Sequence, residues 1–365
     1  MTERYAELIQ LLKNNTEVSL ATVVEAKGAT PQVVGASALF SSCGRISGTV
    51  GGGIVEAEVQ KRTLQALKKK RPTLVRFNLS NAMTSEEGAV CGGEMRVLID
   101  PLPGRHVREF YKMKRALSRR KNGILATLIR KGHSSDQCSL SRIWLSERTD
   151  LGKLERAIGF KHRDQIKRIY EEMGAAFMKI EEKRPGGAEP EGWLYLEPHF
   201  PLPQLLIIGA GHIGQAVAHL GKMIHFEVIV MDDRPEYACR ERFPEADRII
   251  VGNIRREIRR FPLASDIYVV IATRGHRHDE EALRECIHSR VGYLGMVGSL
   301  HKVRLMRERF TKMRWAKSPE FNRVHAPIGI PICSKTVEEI AMSIAAELIL
   351  VRRQNQERKS KKGRK

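Results

Sequence analysis

Glycines at a regular spacing mark the place where the main chain itself could bind an anion. The stretch LLIIGAGHIGQAVAHL contains Gly209-x-Gly211-x-x-Gly214 between a strand-like and a helix-like segment. These glycines allow a tight turn, a close approach of phosphate and packing of the helix on the sheet, while the helix start offers free N–H donors. Asp232 follows Gly214 by 18 residues, close to the spacing at which an acidic side chain accepts from ribose hydroxyls. The sequence therefore predicts a dinucleotide-type phosphate site that favours a nucleoside without a 2′-phosphate.

Two later loops are expected to complete that site. One is TRGHRHD, which starts at Thr273, and the other runs through Gly298. Ligands of open α/β sheets bind outside the carboxyl ends of the strands, so we expect Arg274 and His276 to face the same crevice. His276, His278 and Asp279 could also be metal ligands, but a histidine at a helix start more often hydrogen-bonds or faces solvent, and we predict no metal site. The cofactor-binding candidates of this half are Gly209, Gly211, His212, Gly214, Asp232, Arg274, His276 and Gly298.

A second glycine cluster lies nearer the start of the chain. A triple glycine at 51–53 ends on a helix-like stretch that contains Glu56, and such a helix start makes another anion cradle. Cys91 stands within the loop GAVCGG. Its thiolate would be favoured near helix N-termini and cationic side chains, whereas the alternative interpretation is a small buried apolar residue. The catalytic candidates are thus Cys91 and Glu56, and the cofactor-binding candidates are Gly51, Gly52, Gly53, Gly92 and Gly93.

The elements that must position these loops fall into two α/β halves. In the second half, strand-like and helix-like stretches alternate and the strands are continuously apolar, which indicates a Rossmann-like, doubly wound parallel sheet. The last helix, at 337–353, starts with a capping box formed by Thr336 and Glu339. In the first half we predict strands mixed with helices, including a long helix at 151–182. The predicted strands of the second half are 204–209, 227–232, 247–251, 267–273 and 292–297.

The boundaries of these halves follow from proline and charge. Three prolines fall within EPHFPLP, which is typical of a linker. The last fifteen residues carry eight Lys and Arg against one Glu, a composition that predicts disorder. We therefore predict an N-terminal α/β domain at 1–198, a Pro-rich linker at 199–203, a Rossmann-like domain at 204–351 and a basic disordered tail at 352–365.

Composition limits the class of protein. The 365 residues include 42% apolar residues and 30 glycines without a period, which excludes wholesale disorder and a collagen-like chain. No apolar stretch is long enough for a membrane helix, and the N-terminus predicts an amphipathic helix instead of a signal peptide, so we expect a cytoplasmic protein. The six scattered cysteines indicate free thiols. The net charge of +21 would attract phosphate-bearing ligands, but the tail lacks aromatic residues among its basic ones, and we do not expect nucleic acid as a partner.

Several long motifs resemble one family. GATPQVVGASALFSSCGRISGTVGGGIVEAEV and GAVCGG are similar to the N-terminal domain of the xanthine dehydrogenase accessory protein family (XdhC/CoxI type). GAGHIG, TRGHRHDEEAL, GYLGMVGSLHKV, RVHAPIG and VEEIAMSIAAEL resemble the Rossmann domain of that family. The motifs occur in the family order over most of 15–105 and 203–352, while 106–198 carries little of the resemblance.

The resemblance implies a maturation factor for molybdenum hydroxylases. Such a protein binds the molybdenum cofactor, a molybdopterin or its dinucleotide form, assists its sulfuration and helps to insert it into the apo-enzyme. We therefore expect an accessory protein and not a stand-alone catalyst, with a molybdenum hydroxylase apo-enzyme and a cysteine desulfurase as partners and with a homo-oligomer, a dimer, as its own state. By this resemblance Cys91 is a sulfur relay or a metal ligand, since a thiolate serves as nucleophile and as ligand.

The chain also departs from the family pattern. Ile54 stands where the family often has a cysteine, Gln32 replaces an arginine, and Cys333 ends a motif that the family ends with glycine. These changes leave Cys91 as the single candidate sulfur of the first half. Two other functions stay open: an NAD-dependent oxidoreductase with His276 as its proton-transfer group, and a regulatory or nucleic-acid-binding Rossmann protein that uses the basic tail.

Overall fold

A computed structural model describes residues 2–79, 92–132, 137–146, 151, 152, 154, 163–172, 174–181 and 191–362. The chain divides into two compact units, Met1–Pro201 and Leu202–Lys365. The division falls inside the stretch 199–203 that the sequence predicts as a linker. Each unit has its own hydrophobic clusters.

The N-terminal unit begins with an antiparallel five-stranded sheet in the order β3-β2-β1-β5-β4. Its central strand is buried over its first six residues, because helices cover both faces. Ala21 and Val23 belong to one cluster together with residues of the second helix, and Leu20 belongs to another together with residues of the first. The elements are α1 (Thr2–Lys13), β1 (Ser19–Lys27), β2 (Ser37–Ser41), β3 (Gly44–Gly48), α2 (Gly53–Lys69), β4 (Thr73–Asn78) and β5 (Glu94–Asp100).

A second antiparallel sheet of this unit has the order β7-β6-β9-β8. The sequence predicts one long helix at 151–182. The C-terminal part of that prediction is wrong, because a strand of this sheet begins at Ala176. The neighbouring prolines do not prevent pairing of the last strand, whose His199 lies opposite Gly123. The elements are α3 (Val107–Ser118), β6 (Gly123–Lys131), β7 (Cys138–Leu145), α4 (Arg163–Glu172), β8 (Ala176–Glu181) and β9 (Glu191–His199).

The C-terminal unit is a parallel sheet in the order β12-β11-β10-β13-β14 with helices on both faces. The predicted α/β class with a Rossmann-like doubly wound sheet is confirmed. Alternate residues of the central strand serve opposite clusters, Leu206 on one face and Leu205 on the other. The elements are β10 (Gln204–Ile208), α5 (His212–Met223), β11 (Glu227–Asp232), β12 (Arg248–Val251), α6 (Ile254–Arg260), β13 (Ile267–Ile271), α7 (His276–Cys286), β14 (Tyr293–Met296), α8 (Leu300–Lys312), α9 (Ser318–Asn322) and α10 (Val337–Lys362).

The last helix is longer than the sequence predicts. Its capping box is present, since Thr336 Oγ1 accepts from the Glu339 amide and Glu339 Oε2 accepts from the Thr336 amide, at 3.2 and 3.1 Å. The helix then continues to Lys362, where the sequence predicts a disordered tail from 352. Arg352 Nη1 donates to the carbonyl of Ile224 at 2.7 Å, so the first basic residue of that segment is held by the domain. Among the described residues, no helix combines the length and apolarity that crossing a membrane requires.

Candidate functional site

The predicted phosphate loop of the C-terminal unit, Gly209 to Gly211, joins β10 to α5. Gly209 has φ +119°, and a Cβ there would lie 2.1 Å from the carbonyl oxygen of Ala272. A Cβ at Gly214 would lie 2.1 Å from the carbonyl oxygen of Gly209. By contrast, a Cβ at Gly211 would meet no atom within 4 Å. The outer two glycines are therefore required by packing, while the middle one leaves free space at the start of the helix.

That free space lies where an anion is stabilised. Gly211 is the N-cap residue of α5, and it makes no side-chain capping bond. The first amides of a helix have no partner within the helix, and the helix dipole favours negative charge beside them. His212 is the first residue of the helix and is exposed. The loop is thus able to bind one phosphate through main-chain N–H groups.

Asp232 holds this loop in place through hydrogen bonds. Its carboxylate accepts from the Ala210 amide at 2.7 Å and from the Arg234 amide at 3.0 Å. The Arg234 guanidinium adds two further bonds, at 2.9 and 3.0 Å. Burial alone would raise the pKa of Asp232, but the hydrogen bonds from Arg234 and Ala210 outweigh it and lower the pKa to about 2. The carboxylate predicted to accept from ribose is therefore occupied by protein donors.

Asp233 is the more accessible carboxylate at the end of β11, although no motif spacing singles it out. Its side chain is 29% exposed, against 3% for Asp232. Arg274 Nη2 donates to Asp233 Oδ2 at 3.0 Å and lies 3.3 Å from His278 Nε2. An ion pair thus links the ends of β11 and β13, and the binding role of Arg274 stays a prediction.

His276 is placed differently from the expectation. It lies at the start of α7, is exposed, and lines a polar cleft of about 310 Å³. The other lining residues come from α6, α7 and α8 and are mostly charged, and Arg274 is not among them. Its lining residues are Arg255, His276, Arg277, Glu280, Glu281, Arg284, Glu285 and Arg309.

Two further side chains connect the motifs of this unit to one another, although the sequence analysis did not single them out. Lys302, beside Gly298, forms an ion pair with Asp279. Glu347 lies 2.8 Å from His325 Nδ1 and accepts from the Gly329 amide, also at 2.8 Å. Burial alone would raise the pKa of Glu347, but hydrogen bonds to His325 and to a neighbouring tyrosine lower it. The position of both residues inside the family-like motifs was the signal that could have found them.

In the N-terminal unit, three loops meet at one edge of the first sheet. The loop after β1 approaches the loop after β3, because a Cβ at Gly51 would lie 3.3 Å from Pro31 Cγ. It also approaches the chain before β5, because a Cβ at Gly93 would lie 2.4 Å from the carbonyl oxygen of Ala29. The structure therefore brings the triple glycine and Gly93 together. Cys91 lies outside the described residues.

This loop cluster leaves free space beside three of its glycines. A Cβ at Gly52, Gly53 or Gly92 would meet no atom within 4 Å, and Gly52, the N-cap residue of α2, makes no side-chain capping bond. Ile54, which replaces the family cysteine, is 45% exposed beside them. These loops thus combine free space at the start of a helix with an exposed apolar side chain.

Glu56 is engaged within the same cluster. Arg45 Nη1 lies 2.5 Å from Glu56 Oε1 and donates to the carbonyl of Gly48 at 2.9 Å. Thr49 Oγ1 donates to the carbonyl of Gly51 at 2.6 Å. These bonds fix the shape of the loop, and Glu56 forms an ion pair with Arg45. In the described part of the chain, no group of three His, Cys, Asp or Glu side chains is arranged to hold a metal ion.

Comparison with known proteins gives two family matches. The model of the XdhC Rossmann domain matches residues 205–348, and the model of the XdhC and CoxI family matches residues 11–78. A probable xanthine dehydrogenase subunit from Bacillus subtilis is 26% identical over 94% of this chain and 96% of its own length. The uncharacterized protein YqeB from Escherichia coli is 23% identical over 95% of this chain, which spans 46% of that protein.

A solved structure has the same fold. The crystal structure of a xanthine dehydrogenase from Bacillus halodurans superposes with a TM-score of 0.72, and each chain is covered to 96%. The sequence identity is 21%, so the likeness concerns the fold alone. The match extends over both units of the chain.

Proposed function

Because the chain belongs to the XdhC and CoxI family, we propose that it is an accessory protein of a xanthine dehydrogenase-type molybdenum hydroxylase. In this role it binds the phosphorylated molybdenum–pterin cofactor as cargo and helps to insert it into the apo-enzyme. The likeness to a probable xanthine dehydrogenase subunit of Bacillus subtilis supports such a client. The observation that carries the proposal is the free space before the Gly211 end of α5.

The chemistry of the two glycine loops suits a carrier. Main-chain amides bind a phosphate through its oxygens without a fixed counter-charge. A cargo held in this way gains affinity from many modest hydrogen bonds and is released when another protein offers competing donors. Exposed Ile54, beside the open glycines of the N-terminal unit, supports contact with the apolar part of such a ligand. We therefore assign the phosphate to main-chain donors and the ring system to apolar surface.

The sulfuration step belongs to the same proposal. Cys91 serves as a sulfur relay or as a ligand of the metal, with a cysteine desulfurase as the source of sulfur. A thiolate is the form that acts in either role. Gly92 and Gly93 follow Cys91 directly, and a Cβ at Gly92 would meet no atom within 4 Å.

The test is activation of an apo-hydroxylase by variants of the full chain. Gly211→Val and Gly52→Val place methyl groups in open space, so we expect both variants to fold and to lose cofactor binding and activation at least tenfold. Gly174→Val is the matched control, because a Cβ at Gly174 also meets no atom within 4 Å. Activation by Gly211→Val at the level of the control would contradict the proposal, and the same assay with Cys91→Ser tests the sulfur role.

The phosphate loop would also suit NAD, which keeps the oxidoreductase as a second candidate. The two functions differ in what stays bound to the purified chain. An oxidised pterin released on denaturation, detected by fluorescence and mass spectrometry, supports the accessory role. Turnover of NADH with small carbonyl substrates, lost in Gly211→Val, would support the oxidoreductase instead.

A further inference from the structure

The last helix, α10, carries apolar residues on two opposite sides. Its inward side chains, among them Ile344 and Leu348, are buried in the cluster that covers one face of the parallel sheet. On the outward side Met342 is 60% exposed, Ile349 37% and Leu350 48%. A helix that packs on a sheet needs only one apolar face, so the core of this unit does not explain the outer one.

The outward apolar residues lie along one narrow face. Met342, Ala346, Ile349 and Leu350 follow one another at spacings of four, three and one residues. Side chains three or four positions apart are neighbours on a helix surface, and Ala346, at the centre of this row, is also exposed. We call these four residues the outer stripe of α10. A contiguous exposed apolar patch of this kind marks a surface that binds another molecule.

An exposed charge of opposite sign lies at each end of the outer stripe. Glu339 precedes Ala346 by seven residues and Arg353 follows it by seven, which is about two helical turns in each direction. Glu339 accepts two main-chain bonds through Oε2, and Arg353 Nη1 donates to Gln356 Oε1 at 3.3 Å. Within the described part of the chain, Glu339 Oε1 and most N–H groups of Arg353 therefore remain available to a partner.

The order of these residues is complementary to itself. Met342 and Leu350 lie four residues on either side of Ala346, and Glu339 and Arg353 lie seven residues on either side. A two-fold axis at Ala346 would place the helix of a second copy antiparallel, with Met342 opposite Leu350 and Glu339 opposite Arg353. The small side chain of Ala346 lets the two helices approach closely. A parallel arrangement would instead bring like charges together, which is unfavourable.

We propose that the outer stripe of α10 binds the same stripe of a second copy of this chain, antiparallel and with Ala346 at the two-fold axis. Two chains that each carry a net charge of +21 repel one another, so their association requires a surface with apolar contacts and matched charges. The outer stripe offers both, because an apolar centre is flanked by one acid and one base. This inference uses none of the glycine loops and is independent of the proposed function.

The first experiment measures self-association of the full chain by analytical ultracentrifugation. We expect the wild type to be a dimer and Leu350→Asp to raise its dissociation constant at least tenfold, because a carboxylate would be buried against Met342 of the partner subunit. Met313→Asp is the matched control. Met313 is 51% exposed at the end of α8, a helix that packs on the other face of the sheet, and we expect no change in association.

The second experiment tests the antiparallel register with cysteines. We expect oxidation by diamide to link a Met342→Cys copy to a Leu350→Cys copy when the two variants are mixed and allowed to exchange subunits. Each variant alone should link much less, since identical positions eight residues apart along paired helices are about 12 Å from one another. The exposed Cys43 and Cys333 of the wild type provide the background, measured on the oxidised wild type.

Three results would overturn the inference. The first is a wild type that stays monomeric at all measured concentrations, and the second is a dimer that Leu350→Asp does not weaken. The third is stronger linking within each cysteine variant than in their mixture, which would exclude the antiparallel register. Thermal unfolding of Leu350→Asp shows whether the variant keeps its fold. If it does not, Ala346→Asp repeats the measurement at the proposed axis, where we expect the same loss of association.

Discussion

Asp232 gives the phosphate loop its shape through bonds that begin on the neighbouring strand. The Ala210 amide, inside the loop, donates to the same carboxylate that holds Arg234. The spacing from Gly214 predicts an acidic residue at this place. The spacing does not predict that the carboxylate accepts from protein donors. This depends on Arg234, two residues further along the chain, whose guanidinium bonds back to Asp232. The same guanidinium lies over the Tyr237 ring at 3.8 Å.

The lowered pKa of Asp232 predicts a dependence of stability on acid. A carboxyl group with a pKa of about 2 in the folded chain and about 4 in the unfolded chain contributes about 2 kcal/mol above pH 5, and about half of that at pH 3. We expect Asp232→Asn to lower the free energy of unfolding by about 2 kcal/mol at pH 7 and by less at pH 3. Urea unfolding at both pH values measures this difference.

Asp233→Asn is the control for that measurement. Asp233 contacts guanidinium groups that are partly exposed, and ion pairs of that kind contribute little to stability. We expect a loss below about 1 kcal/mol that changes little with pH. A loss in Asp232→Asn that stays constant from pH 7 to pH 3 would show that the carboxylate charge is not what stabilises the loop.

At the scale of elements, sequence periodicity was informative where strands are buried on both faces. The continuously apolar runs of β10, β11 and β13 predict a parallel sheet because helices cover both sides. The sequence analysis missed strand β8. This strand contains two charged residues and follows a helical stretch, so the helical spacing of apolar residues continues through it. The pairing of β8 with β9 depends on residues far apart in the chain, Phe177 opposite Tyr195, and no local pattern reports such a pairing.

The end of α10 gives a prediction about the basic segment. Composition predicts disorder there, but Arg352 bonds to the end of α5 and Asn355 Nδ2 donates to the carbonyl of Gly292 at 2.9 Å. We expect removal of 352–365 to lower the melting temperature by several degrees, because these contacts are each worth about 1 kcal/mol. Removal of 357–365 keeps both contacts and should leave the melting temperature unchanged. Equal melting temperatures of the two truncated chains would show that neither contact contributes.

At the scale of the whole molecule, the C-terminal unit has its own sheet and its own core. The five strands of the parallel sheet and the helices that cover them all lie within Leu202–Lys365. Both hydrophobic clusters of that sheet are complete within the same range. A range of this size with its own core is expected to fold alone.

The corresponding prediction separates ligand binding from activation of the client. We expect a chain of residues 202–365 to unfold cooperatively and to bind ADP within about threefold of the full chain, because the Gly211 loop is retained. The same fragment should fail to activate an apo-hydroxylase, since it lacks Cys91 and the open glycines of the N-terminal unit. Calorimetry and the activation assay test the two parts separately. A fragment that folds but does not bind ADP would show that residues before 202 contribute to the phosphate site, and a fragment that activates the client would remove the first unit from the proposed function.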